Sequence, residues 1–187
     1  MTKSLRFIGV LGAAIALSAC GSSTSSSSSA SSPSPSPSPT PVHIASVDAC
    51  TLVTASEASA AAGATLVNLA SVGGIAIPGA CFYGAQNSSS GVFVYAQVYP
   101  DSTTANAVTA DQFSAALGAR IGVGATSGKQ VSGIGDKAYE FTANGNAGSG
   151  IAIIAFKANV IVMIAVDPTA DPSVVEGLAK TAVGRLH

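Results

Sequence analysis

Apolar and polar positions follow three different regimes along the chain. From Phe7 to Leu17 the residues are uncharged and mostly apolar, from Gly21 to Pro41 apolar periodicity is lacking, and beyond Val42 clear periods begin. The plainest is Gly91–Tyr99, where Val92, Val94, Ala96 and Val98 fall on one face and Phe93, Tyr95, Gln97 and Tyr99 on the other. That period of two predicts a strand. Ala80–Gln86 is its hairpin partner across the polar run Asn87–Gly91. Three more strands are predicted near Lys137–Thr142, Ser149–Lys157 and Val160–Val166. Turns at Asn144–Gly148 and at Ala158 and Asn159 are short enough to make these neighbours antiparallel. Val160–Val166 is apolar throughout, but it is β-branched, short and bounded by Asn159 and by Asp167 with Pro168. It therefore predicts a buried central strand rather than part of a membrane helix.

Helical signals lie between the strands. Thr54 followed by Glu57 forms a capping box, and Gly63 suits the left-handed residue after a helix, which predicts a helix over Ala55–Ala62. A second is predicted over Thr104–Leu117, with Val108, Phe113 and Leu117 facing inward and Gly118 stopping it. The third begins at the cap Asp171 with Pro172 in the first turn, and Val174, Val175, Leu178, Ala182, Val183 and Leu186 recur at helical spacing. Strands interleaved with helices, without repeated long crossovers, indicate an α+β fold: an antiparallel sheet of about five or more strands packed with about three helices.

The leading segments are read separately, since targeting sequences do not belong to the folded core. Lys3 and Arg6 precede an apolar run too short to span a bilayer core of about 30 Å. Leu17-Ser18-Ala19-Cys20 resembles the bacterial lipobox, in which the cysteine thiol takes a diacylglycerol and cleavage exposes that cysteine. Residues 1–19 are thus expected to be a lipoprotein signal peptide, and Cys20 the lipidated residue. Its acyl chains, palmitate among them, would hold the protein to the lipid bilayer on the extracytoplasmic face of the cell membrane. Each buried CH₂ contributes about 0.8 kcal/mol, and stable anchoring takes more than one chain. Residues 20–41 are expected to be a disordered stalk, Ser-rich and then Pro-rich, which buries too little surface to fold and extends in its Pro-rich half. Its Ser/Thr-Pro composition permits O-glycosylation but equally suits a bare tether. Residues 42–187 are left as a single extracytoplasmic α+β domain.

Charge narrows the partners. Of the folded part's ionisable residues, Arg120, Lys129, Lys137, Lys157, Lys180 and Arg185 stand against all nine of the chain's Asp and Glu residues. No basic patch is available to neutralise phosphates, which argues against nucleic acid. With Cys20 acylated, Cys50 and Cys81 are left in an oxidising compartment and are expected to form a disulfide. As metal ligands they would need partners, and no His lies near them. His43 and His187 sit at the stalk end and the chain end, so Ser-His-Asp chemistry has no foothold.

Two glycine motifs look like nucleotide sites and fail on context. Gly133-x-Gly135-x-x-Ala138 is followed by a predicted strand where a dinucleotide fingerprint needs a helix, so it reads as a tight turn. Gly122–Lys129 has its glycines one position off a phosphate loop, and Gln130 replaces the required Ser or Thr. No nucleotide, metal or other cofactor is therefore expected. Asp136, Lys137, Tyr139 and Glu140 form the polar cluster beside a turn that remains as a candidate ligand site; against it stands a turn-forming Asp followed by solvated strand charges. Tyr83, Tyr95, Tyr99 and Tyr139 could line a binding face, or pack between helices and sheet.

Asp48-Ala49-Cys50-Thr51-Leu52, Gly79-Ala80-Cys81-Phe82-Tyr83 and Val131-Ser132-Gly133-Ile134-Gly135-Asp136-Lys137-Ala138-Tyr139, together with the lipobox and stalk, resemble secreted actinobacterial-type lipoproteins, a family of unknown function. The resemblance implies a compact cystine-bearing α+β domain and no particular reaction. The expected function is that of a membrane-anchored, non-catalytic binding or interaction module of the cell envelope, taking an envelope lipid, an apolar ligand or a protein partner. A concave apolar pocket or an exposed aromatic patch between sheet and helix is the feature this reading requires. The alternatives are a histidine-free envelope hydrolase, with a Ser or Asp/Lys cluster in a cleft, and a structural surface protein without a specific ligand.

Overall fold

The computed structural model describes residues 42–72, 77–121, 124–125, 128–145, 148–169 and 171–187. The expectations for the signal peptide, for Cys20 and for the stalk lie outside the described residues, as do parts of the turn at 144–148 and of the glycine-rich segment 122–129.

In chain order the elements are α1 (Ala49–Leu52), α2 (Ala55–Ala62), β1 (Val67–Asn68), a 3-10 turn (Leu69–Val72), β2 (Ala80–Gly84), β3 (Gly91–Val98), α3 (Ser102–Ala107), α4 (Ala110–Ile121), β4 (Gly124–Ala125), β5 (Lys129–Val131), β6 (Lys137–Gly145), β7 (Gly148–Lys157), β8 (Val160–Asp167) and α5 (Pro172–Gly184). The strands form one sheet in the order β1-β2-β3-β8-β7-β6-β4, with β5 also pairing to β6. Every pairing is antiparallel. The fold is thus α+β, with more short elements than periodicity reveals.

β8 lies between β3 and β7 and is paired to both along its length. Residues Val160–Ile164 are buried on both faces, which is why this segment reads as an unbroken apolar run. Val92, Val94, Ile153 and Ile164 face a core completed by Leu52 of α1, Ala58 of α2, and Val175, Leu178 and Ala182 of α5. Phe93, Ile154, Phe156 and Ile161 face a second core with Ala105 of α3 and Phe113 and Leu117 of α4. The alternation predicted for Gly91–Tyr99 therefore separates two cores rather than a core from solvent.

The capping box at α2 is formed as expected: the Thr54 hydroxyl accepts from the Glu57 amide, and the Glu57 carboxylate accepts from the Thr54 amide at 2.8 Å. Asp171 likewise accepts from the Ser173 amide at 2.9 Å ahead of Pro172. The helix predicted over Thr104–Leu117 is instead two. Asp101 caps α3 by accepting from the Thr104 amide at 2.7 Å, and α3 ends at Val108. Thr109 and Gln112 then exchange amide-to-side-chain hydrogen bonds, each 3.1 Å, and restart the helix as a second capping box. Gly118 does not stop α4, which continues to Ile121.

Cys50 and Cys81 are bonded to each other, with their Cα atoms 5.0 Å apart, joining α1 to β2. The bond holds α1, immediately before α2, rather than α2 itself. The termini of the described domain are clasped beside it: Arg185 donates to both Glu57 carboxylate oxygens, at 2.6 and 2.8 Å, and to the Leu52 carbonyl at 2.7 Å. The Tyr83 hydroxyl donates to the Val53 carbonyl beneath this clasp.

Candidate functional site

Asp136, Lys137 and Tyr139 each make a structural contact with Phe156, and Glu140 is in register with Lys129. Asp136 closes the turn into β6: its amide donates to the Phe156 carbonyl at 2.7 Å, and its carboxylate accepts from the Ala158 amide at 2.7 Å. Gly133 and Gly135 have φ of 76° and 60°, so this is the tight turn read from the sequence, leading directly into a strand. Lys137 lies 4.1 Å from the centre of the Phe156 ring and donates to the Asn106 carbonyl. Tyr139 packs edge-on against the same Phe156 ring, on the α4 side of the sheet. Glu140, by strand alternation, is on the other side, in register with Lys129 of β5. Tyr139 and Glu140 thus lie on opposite faces of the sheet, so the four side chains do not converge on one point. Tyr83 packs in the core beneath α1, while Tyr95, Tyr99 and Tyr139 pack on the α4 side.

A concavity of about 430 Å³ opens on the α4 side at the end of the sheet where β2 turns into β3. Sheet register explains how it is built. One row across the strands places Phe82 opposite Phe93, Phe93 opposite Ala165, and Ala165 opposite Ala152. The Phe82 and Phe93 rings are 4.6 Å apart between centres, and with Met163 and Ala165 they make an apolar floor. The next row outward places Gly84 opposite Gly91, and Gly91 opposite Asp167. Gly150 flanks Asp167 on its other side: a Cβ added there would sit 3.2 Å from the Asp167 Cβ and 2.8 Å from the Val166 carbonyl oxygen. Asp167 is thus a carboxylate among glycines, with the Leu69 side chain packed over Gly84 as part of the lining.

Asp167 is half-buried, and its Oδ1 is buried with no hydrogen-bond partner among the described residues. It is also the one charged side chain among the described residues of the lining. Ser88, Ser89 and Ser90 of the hairpin loop form the polar lip. The site left no signal in the sequence because its parts are remote along the chain: an aromatic from each of two strands, a strand-terminal Asp and three glycines. The alternation in β3 marks the face that Phe93 shares with Tyr95, but nothing local indicates that a concavity adjoins it.

Two other hollows carry less chemistry. One of about 390 Å³ lies between the first described residues and the C-terminus, lined by Asp48, Arg185 and His187 among others, and Arg185 is already engaged by Glu57 and Leu52. Another of about 530 Å³ lies along Glu140, Thr142, Pro168 and Pro172. Among the described residues there is no group of three or more His, Cys, Asp or Glu arranged to hold a metal ion, and no helix long and apolar enough to cross a membrane. Compared with known families and with curated proteins, the chain matches no family model and no curated sequence.

Proposed function

We propose that the protein is a membrane-anchored lipoprotein of the extracytoplasmic face, fixed to the bilayer through acylated Cys20, and that its folded domain is a non-catalytic module that binds an apolar ligand of the envelope. The observation carrying the binding assignment is the concavity floored by Phe82, Phe93, Met163 and Ala165. A volume of this size with apolar walls and few polar groups matches the character of small-molecule sites. The anchoring assignment is carried by the sequence Leu17-Ser18-Ala19-Cys20 behind a charged and then apolar leader.

Purification of the lipidated protein from its native membrane, followed by mass spectrometry of bound small molecules, tests the binding assignment. A stoichiometric apolar molecule that is lost when Ala165→Phe fills the floor is the expected result. A folded wild-type protein that carries no such molecule, and binds none when challenged with envelope lipid extract, contradicts it. For the anchor, Cys20→Ala is expected to abolish acylation and move the exported protein to the aqueous phase on detergent partitioning. Unchanged partitioning rules out the lipid assignment.

A further inference from the structure

The concavity has a second character that an apolar ligand alone does not use. Asp167 continues the row of β8 side chains that begins with Met163 and Ala165, so its carboxylate stands on the same face as the apolar floor. A carboxylate oxygen removed from water without a donor is costly, and native proteins supply such atoms with a partner. Asp167 Oδ1 has none among the described residues, and no Lys or Arg is among the described residues of the lining. The neighbouring positions in its row, Gly84 and Gly91, are glycines and bring no side-chain donor, and the Leu69 side chain packs over Gly84. Phe82 and Phe93 lie one row inward, and the negative face of an aromatic ring attracts a cation as a carboxylate does.

Resting on the binding-module reading, the geometry points to an ammonium-bearing amphiphile as the ligand class: a cationic amine head donates to Asp167 while an apolar body lies over Phe82, Phe93 and Met163. The amine neutralises the one charge among the described residues of the lining. An anionic amphiphile of the same shape meets repulsion from that charge, and a neutral alcohol supplies a donor without the charge. The site therefore ranks ligands by head group, in the order amine, alcohol, carboxylate.

Met163 provides a reporter in the floor, because the chain has two methionines and the other is Met1. The full chain, carrying Cys20→Ser so that no acyl chain competes, is labelled with ¹³C-methyl methionine, and the Met163 resonance is assigned with Met163→Leu. Hexylammonium, hexan-1-ol and hexanoate are then titrated separately. The expected result is a saturable shift of Met163 with hexylammonium at a Kd at least tenfold below that of hexan-1-ol, and weaker binding still of hexanoate. Asp167→Asn, nearly identical in shape, is expected to bring the amine and alcohol affinities together. Equal affinities for amine and alcohol in the wild-type protein overturn the proposal while leaving an apolar site in place. So does an amine preference that survives Asp167→Asn. If no probe moves Met163, the apolar-ligand reading fails and the head-group proposal falls with it. The wild-type comparison needs no variant, so a misfolded Asp167→Asn does not remove the test.

Discussion

Asn159 occupies a position that is 1 % exposed, at the turn between β7 and β8, and its side chain satisfies three backbone groups. Its Oδ1 accepts from the Ile44 amide at 2.8 Å, and its Nδ2 donates to the Ile44 carbonyl at 2.9 Å and the Tyr99 carbonyl at 2.7 Å. Truncating it leaves those buried groups unpaired, so Asn159→Ala is expected to cost about 2–4 kcal/mol, read as a lower denaturant midpoint with an unchanged m-value. Glu57 makes a different kind of contribution. Hydrogen bonds from Arg185, and then from the Thr54 amide, hold its carboxyl at about 2, below the ordinary 4.5. Because the folded value is depressed, the stabilisation is complete above about pH 4.5 and is lost as the pH falls from there toward about 2. About a third of each partner is exposed, so screening by water reduces the pair to roughly 1 kcal/mol despite its bidentate geometry. Glu57→Gln is expected to lower the midpoint by that amount at pH 7 and by progressively less below pH 4.5. An equal loss at pH 7 and pH 2 contradicts the assignment. The Thr54–Glu57 box was legible because it is local; the Arg185 partner, 128 residues away, was not.

At the scale of elements, the disulfide links a short helix to the second strand across 31 residues of sequence. Four residues make too little helix to persist alone, and α1 is held by the disulfide, by its Asp48 cap and by Leu52 in the core. Replacing Cys50 and Cys81 together by Ser is expected to destabilise the domain by about 3 kcal/mol, measured by reversible denaturation under non-reducing conditions. Asn68 donates its side-chain amide to both sulfurs, so β1 is expected to loosen with the bond. The long strands and α5 were readable because side-chain period and caps are local properties. The break between α3 and α4 was in principle readable too, since Thr109 followed by Gln112 is a capping-box signal; the apolar spacing running through it concealed the interruption. β1, β4 and β5 are two or three residues long and left no periodic signal, because they exist only as partners for a neighbouring edge.

Across the whole folded domain, β8 separates two ends. Its first residues adjoin Asn159, whose side chain fastens the Ile44 backbone, and its last is Asp167 in the concavity. Eight residues of strand place these ends roughly 25 Å apart. The Ile44–Asn159 fastening and the proposed ligand site are therefore structurally independent, and altering one is expected to leave the other intact. Ala165→Leu, which adds volume to the floor of the concavity, is expected to abolish the Met163 response to hexylammonium. Asn159→Ala is expected to lower stability while leaving that response in the remaining folded protein. Loss of the response in both variants at temperatures where both are folded would contradict this independence.

The sequence by itself determined the antiparallel α+β class, the faces of β3, the capped starts of α2 and α5, and the cysteine pairing. Each depends on residues near one another in the chain, or, for the cysteines, on simple arithmetic. The tertiary structure alone decided that both sheet faces are covered, that Asp136, Lys137 and Tyr139 meet Phe156 while Glu140 lies on the other face, and that Asp167 stands among glycines beside an aromatic floor. Those outcomes depend on register between strands remote in sequence. A shift of one residue there would turn Phe93 and Asp167 to the opposite face, and no local pattern around either residue records which partner strand it meets.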